Sequence, residues 1–324
     1  MPSPTEWNEA PWLRRGPASL VVTVLTFVFI LACGDAAQVD CATVSVSSQP
    51  SHAKVFVNGY FKGFTPCVIS ICSVQAEPRS YRFTLIASGY EKWDRRISLA
   101  SGGTERIDAV LDRLPDPLAG RIVCIDPGHP SETSPGTKGP SGVTENHINW
   151  VIALKLKQAL IDRGAKVVLT KSAENQKVTN RERAEIANKN NSDIMIRLHC
   201  DAASHTGFSI YYPDRQGTRY GVTGPAQSVI QASKAVATPF YQGMKSVLNG
   251  HLTPRGIHGD SATYIGSRQG ALTGSIFSQV PVLTVEMCTL TIASDEQFIS
   301  SENGQKLMVR ALVQGLENCL SGRY

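Results

Sequence analysis

The sequence predicts an α/β protein: a largely parallel sheet with helices on both faces, preceded by a small antiparallel β domain. Three observations predict it. Residues 42–112 show period-two alternation broken by glycines at short intervals. From Arg121 onward, strand-like runs alternate with helix-length amphipathic runs, as crossover connections require. Between them lies RLPDPLAG, residues 113–120, a linker rich in proline and glycine. At 324 residues and 42% hydrophobic content the chain has room for two folded units and a leader, and its composition is not that of a disordered protein.

Residues 1–33 are the leader. Arg14 and Arg15 precede a nearly unbroken apolar run over 20–32, which ends in Ile30-Leu31-Ala32-Cys33. A charged stretch followed by an apolar stretch too short for a comfortable bilayer span is an export signal. The ending resembles a bacterial lipoprotein box, which implies cleavage before Cys33 and lipid on its thiol. The alternatives are an ordinary secretory signal or an uncleaved anchor over 17–32. All three place the rest of the chain outside the cytoplasm, in the envelope or periplasm, with a membrane as partner through a lipid or N-terminal anchor. The formal charge of +5 survives removal of the leader and suits an anionic envelope. No lysine-arginine run points to nucleic acid.

Of the eight cysteines, Cys67 and Cys72 are close enough in sequence to bridge within the small β domain. The odd number left beyond Cys33 argues against a complete disulfide framework. Cys124, Cys200 and Cys288 fall in strand-like text and read as small buried hydrophobes.

The β domain takes its strands from ATVSVSS, AKVFVN, YRFTLIAS, RRISLAS and RIDAVLD, with turns at Gly59, Gly63, Gly89 and Gly102-Gly103. It carries no catalytic cluster. The text SSQPSHAKVFVNGYFKGFTPCVIS and the later ASGYEKW resemble the PEGA domain. Ser48, Pro50, Val55, Val57, Gly59, Gly63, Thr65, Pro66, Gly89 and Tyr90 match its pattern, and His52 stands where a glycine is common. The resemblance implies an accessory module of surface layers or envelopes.

Residues 121–320 are the second domain. A strand over 121–126 leads through a turn-rich segment to a helix over 145–163, apolar at Ile148, Val151, Ile152, Leu154, Leu156, Ala159 and Leu160 and stopped by Gly164. AKVVLT is a strand, RERAEIANKN a helix, and DIMIRLH and FSIYY are strands. Residues 226–249 are mostly helical, VLTVEM (282–287) is a strand and 302–319 a closing helix.

Three of these strands end in chemically loaded residues: His129, His199 and Glu286. Ligands of open α/β sheets bind beyond the carboxyl ends of strands, so residues far apart in sequence can converge there. Glu145 can join them, because Thr144 caps the helix and holds Glu145 on its first turn. Two imidazoles and a carboxylate make a zinc set with a fourth position open for water. Each residue alone has an ordinary reading: a hydrogen-bonded loop histidine, or a glutamate answering the helix dipole. Glu286 is harder to dismiss, because it follows the buried-looking text Pro281-Val282-Leu283-Thr284-Val285 and a charge there needs a partner.

The order of these motifs resembles the zinc-dependent N-acetylmuramoyl-L-alanine amidases of bacterial cell walls. Asp126-Pro127-Gly128-His129, Glu145, Thr170-Lys171, Arg183 with Ala187-Asn188, His199 with Ala202, and Pro281 with Glu286 match that family in sequence. The resemblance implies that His129, Glu145 and His199 ligate zinc, that Glu286 is catalytic, and that peptidoglycan is the substrate. The bond cut would join the lactyl group of N-acetylmuramic acid to the L-alanine of the stem peptide. Zinc would lower the pKa of a bound water toward ~7 and polarise the carbonyl. Glu286 would take that water's proton and pass it to the departing nitrogen, as general base and then general acid.

Several positions depart from the family pattern. Pro130-Ser131-Glu132 replaces the usual glycines, Arg197, Cys200 and Asp201 surround His199, and Met287-Cys288-Thr289-Leu290 follows Glu286. Cys200 and Cys288 invite a reading as thiolate ligands, but Cys200 should face away from His199 across the sheet. His147 should point away from Glu145 around the helix as a surface or rim residue. His205, His251 and His258 lie in loop-like text, and of these only His258 is a candidate substrate contact. The span 213–262 exceeds a plain crossover. In some family members a helix in such an insertion covers the zinc until a protein activator moves it, which makes self-inhibition by 214–262 an expectation here. A wall-binding or envelope-tethering protein that turns nothing over, and a zinc peptidase cutting within the stem peptide, are the rival readings.

Overall fold

The computed structural model describes residues 41–72 and 77–321, so the leader and Cys33 lie outside the described residues. They fall into two units that meet between Arg113 and Leu114.

Alternation in the first unit builds two small sheets from β1 (Cys41–Gln49), β2 (Lys54–Val57), β3 (Tyr60–Phe64), β4 (Cys67–Cys72), β5 (Arg79–Ile86), β6 (Trp93–Leu99) and β7 (Thr104–Val110). Their orders are β4-β1-β7 and β3-β2-β5-β6. Pairing is antiparallel except for β1 with β7, which run parallel. Val44, Val46, Val55, Val57, Phe83, Leu85 and Ile107 form the core. Strands β3 and β4 were not expected from periodicity; β3 buries none of its residues, so it carries no alternation to read.

The expected Cys67–Cys72 bridge is incorrect: Cys41 and Cys72 form the disulfide, and Cys67 is free. Cys67 and Cys72 share one extended strand, five residues apart and on opposite faces. The antiparallel register instead sets Cys72 directly opposite Cys41. The five other described cysteines are free, and all but Cys67 are buried.

In the second unit, β8 (Ile122–Pro127), β9 (Lys166–Leu169), β10 (Ile194–Asp201), β11 (Phe208–Tyr212), β14 (Pro254–Gly259) and β15 (Val282–Thr289) form a sheet ordered β14-β11-β15-β10-β8-β9. It is parallel throughout except between β11 and β15. A hairpin of β12 (Gly217–Arg219) and β13 (Val222–Gly224) stands apart from it. The helices are α1 (Glu145–Ile161), α2 (Asn180–Lys189), α3 (Gln227–Leu248), α4 (Tyr264–Gln269), α5 (Thr273–Ile276), α6 (Ala293–Ser300) and α7 (Glu302–Leu320).

Strand alternation sorts the two faces. Val123, Ile125, Ile196, Leu198 and Cys200 pack with Ile152 and Leu156 of α1, Phe240 and Met244 of α3, and Leu312 and Leu316 of α7. Cys124 and Met195 point the other way, toward Ala187 of α2. Residues 114–120 pack as part of this unit: Leu118 is fully buried in its core and Arg163 donates to the Asp116 carboxylate at 2.8 Å.

Candidate metal centre

Strand β8 is buried along most of its length, and its last charged residue, Asp126, is fully buried. A carboxylate there must be paired. Arg183 Nη1 donates to its Oδ1 at 2.6 Å, Arg197 Nε to its Oδ2 at 3.0 Å, and Thr170 Oγ1 to Oδ1 at 2.5 Å. Burial alone would raise the Asp126 carboxyl, but the Arg183 and Arg197 charges outweigh it and hold the group well below the usual carboxylate range. Arg183 also donates to the carbonyls of Pro127 (2.7 Å), Val178 (3.0 Å) and Pro130 (2.9 Å), so one buried guanidinium braces both sides of the turn that carries His129. The unusual Pro130-Ser131-Glu132 takes part in this bracing: Glu132 Oε2 accepts from the backbone N–H of Asn180 at 2.9 Å.

Gly128 follows, and its missing side chain is required, since a Cβ there would collide with the His199 ring. His129 sits at φ +63°, a conformation non-glycine residues seldom adopt outside sites that need it. Its Nδ1 lies 3.1 Å from the carbonyl of Ser134. A carbonyl only accepts, so Nδ1 carries the proton and the lone pair of Nε2 is left for the site. Thr144 caps α1, accepting from His147 N at 3.2 Å, and holds Glu145 on the first turn. Glu145 Oε1 lies 3.2 Å from His129 Nε2 and 3.1 Å from His199 Nδ1. The same oxygen accepts from Cys200 N at 3.1 Å, and Oε2 accepts from Thr137 N at 2.9 Å. Burial would raise the Glu145 carboxyl, but the adjoining His129 and His199 imidazoles outweigh it and hold it well below the usual range. Burial lowers the His199 imidazole, which favours the neutral, ligating form.

His129, Glu145 and His199 therefore converge, each offering a ligand atom within 4.8 Å of the others. Among the described residues they are the only such group. Two imidazoles and an ionised carboxylate, with one imidazole held in a fixed tautomer, fit a divalent cation of intermediate softness. Glu286 stands beside His199 in the β10–β15 register, and both line one cavity of about 500 Å³ with His129, Arg183 and Arg197. Its Oε2 is shielded from solvent and has no hydrogen-bond partner. Burial first, then the Glu145 and Asp201 charges, push the Glu286 carboxyl well above the usual range.

The other candidates do not join the group. Cys200 faces α1, its thiol pushed up by burial, and its Sγ lies 3.8 Å from Asn149 Oδ1. Cys288 is buried in the same core. His147 is exposed with Nδ1 3.2 Å from Glu174. His258 packs its ring 5.3 Å from Tyr211, with Nε2 3.0 Å from the Arg255 carbonyl, and is not part of the cavity wall. The long helix within 213–262 does not cover the site: α3 packs Phe240 and Gly243 against Gly315 of α7 behind the sheet, and no residue of 220–263 lines the cavity. Its amphipathic face is spent on the core. The bracing by Asp126, Arg183 and Arg197 was not foreseen as a unit, although a charged residue inside strand text at 126 and another at 197 were its signal.

A largely parallel α/β sheet with a His/Glu/His donor set beside a buried, partnerless carboxylate oxygen is an arrangement suited to metal-dependent hydrolysis. Residues 123–318 match the N-acetylmuramoyl-L-alanine amidase family, and residues 41–115 match the PEGA domain. The chain belongs to the N-acetylmuramoyl-L-alanine amidase family. It is 27% identical over 233 residues to an N-acetylmuramoyl-L-alanine amidase of Mycobacterium tuberculosis, covering 64% of this chain and 89% of that one. It is 30% identical over 133 residues to a sporulation-specific N-acetylmuramoyl-L-alanine amidase of Bacillus subtilis, covering 40% and 49%. The fold is shared with the crystal structure of such an amidase from Clostridium difficile, at TM-score 0.52 and 24% identity over 63% of this chain and 99% of that one. It is shared also with that of Mycobacterium smegmatis, at TM-score 0.54 and 19% identity over 64% and 99%.

Proposed function

We propose that this chain hydrolyses, outside the cytoplasm, the amide joining the lactyl group of N-acetylmuramic acid to the L-alanine of the peptidoglycan stem peptide. In this reading His129, Glu145 and His199 hold zinc, Glu286 is the catalytic carboxylate, and lipid on Cys33 tethers the protein to a membrane. The observation that carries it is the partnerless Oε2 of Glu286 in the same cavity wall as His129 and His199. A buried carboxylate oxygen without a donor is costly unless the site uses it.

Amides resist water because their carbonyl is weakly electrophilic and their nitrogen leaves poorly. Zinc held by His129, Glu145 and His199 would supply a Lewis acid for the carbonyl and would acidify a bound water at neutral pH. Glu286 takes the proton of the attacking water and returns it to the alanine nitrogen as the C–N bond breaks. The Ser134 carbonyl keeps the proton of His129 on Nδ1, and Arg183 and Asp126 hold the loop that positions His129.

The test is to incubate purified protein with muropeptides, with zinc and after chelation, and to identify products by mass. Free stem peptide beginning in L-alanine, formed only with metal, is the expected result. Cleavage within the stem peptide would make it a peptidase, and muropeptide retained intact would make it a binding protein.

A further inference from the structure

The cavity wall opposite the sheet edge is made by the β12–β13 hairpin and the segment carrying α4 and α5. These pieces are locked backbone to backbone. A Cβ on Gly217 would lie 2.5 Å from the Gln269 carbonyl oxygen and 2.6 Å from Ala271 N, so only glycine lets hairpin and helix end approach this closely. Gly270, at φ +104°, packs back against Gln216 and Gly217. Asp260, fully buried beneath, accepts from Leu272 N at 3.1 Å.

The cavity lining holds four arginines, and Glu286 is its lone carboxylate. Two of the arginines, Arg183 and Arg197, are committed to Asp126. Arg219 of β12 and Arg268 of α4 are exposed and have no carboxylate partner among the described residues. Each guanidinium instead lies over a tyrosine ring, Arg219 over Tyr220 at 4.7 Å and Arg268 over Tyr264 at 4.0 Å. Ring contact holds the face of a guanidinium and leaves its N–H edge free for a planar two-oxygen acceptor.

We propose that Arg219 and Arg268 form a carboxylate-binding subsite at the cavity rim that reads a free carboxylate of the stem peptide. This rests on the amidase reading above. The residue after L-alanine in such a stem is linked onward through its side-chain carboxyl, which leaves its α-carboxylate free, close to the bond to be cut. Where that group is a carboxamide, one oxygen is replaced by an NH2 that faces guanidinium donors and cannot accept. The rim therefore selects the free acid over the amide.

The test uses the full chain and two muropeptides that differ only in this carboxylate or carboxamide. Binding is measured by calorimetry on Glu286→Gln protein, which leaves the ligand uncut, and turnover is measured on the wild type. The free acid should bind roughly tenfold to hundredfold tighter, the range of a charge-assisted hydrogen-bond pair. Arg219→Gln with Arg268→Gln should reduce that preference to about threefold or less by raising KM for the free acid while leaving kcat unchanged; Lys at both positions should fall between. Equal binding of the two muropeptides, or a preference that survives the double substitution, overturns the subsite. Equal, efficient cleavage of both also overturns it and leaves the amidase reading standing. Discrimination in binding with cleavage of neither supports the subsite and removes the amidase reading.

Discussion

The two walls of the cavity handle charge in opposite ways. At the sheet edge, Arg183 and Arg197 are buried and both pair with buried Asp126, and Glu145 Oε1 lies within 3.2 Å of both histidines. At the rim, Arg219 and Arg268 are exposed, stacked on tyrosines and free of acids among the described residues. Buried pairs are strongly destabilising to break because each leaves an uncompensated charge, whereas exposed charges contribute little to stability. In the proposed reading, the first wall fixes the atoms of the reacting centre and the second is free to select what enters.

That contrast can be broken or sharpened by substitution. The largest expected stability effect is at the sheet edge: Asp126→Ala strands two buried guanidiniums and should cost about 3–5 kcal/mol. Denaturant unfolding within about 1 kcal/mol of wild type would break the contrast. Second is Asp260, beneath the rim, whose carboxyl is raised by burial to about 6. A carboxyl whose pKa is higher folded than unfolded stabilises the fold when protonated, and that stability is lost as pH rises from about 4 through about 6. The loss is at most about 3 kcal/mol. Asp260→Asn should therefore gain on the wild type between pH 4 and pH 7, and parallel stability profiles would contradict it. The smallest stability effect is at the rim itself, where Arg219→Gln should shift unfolding by no more than about 0.5 kcal/mol. A larger loss would make that arginine structural.

The same contrast explains what was legible in the sequence. Strands β8, β10 and β15 and helices α1 and α7 are long, apolar and periodic, and their ends fall within two residues of where periodicity placed them. His129 lies two residues past β8 and Glu145 opens α1, but β10 and β15 run on past His199 and Glu286 to Asp201 and Thr289, so these two meet the others from within the last residues of their strands rather than from the strand ends the sequence predicted. The rim was not legible, because QGTRYGVTG and YIGSRQ carry no apolar period and are held by glycine contacts distant in sequence. The Cys41–Cys72 bridge depends on strand register, which spacing does not reveal. Arg197 stood out only as a departure from a family pattern; its partner, Asp126, supplies its meaning.

The central claim is a division of labour: His129, Glu145 and His199 hold the metal, and Glu286 moves the proton. The most direct measurement is the metal content of Glu286→Gln protein set beside its turnover of muropeptide. Wild-type zinc content with turnover lowered roughly 10²–10⁴-fold is the expected result. Retained turnover would show that Glu286 moves no proton, and lost metal would make it a ligand; either contradicts the assignment.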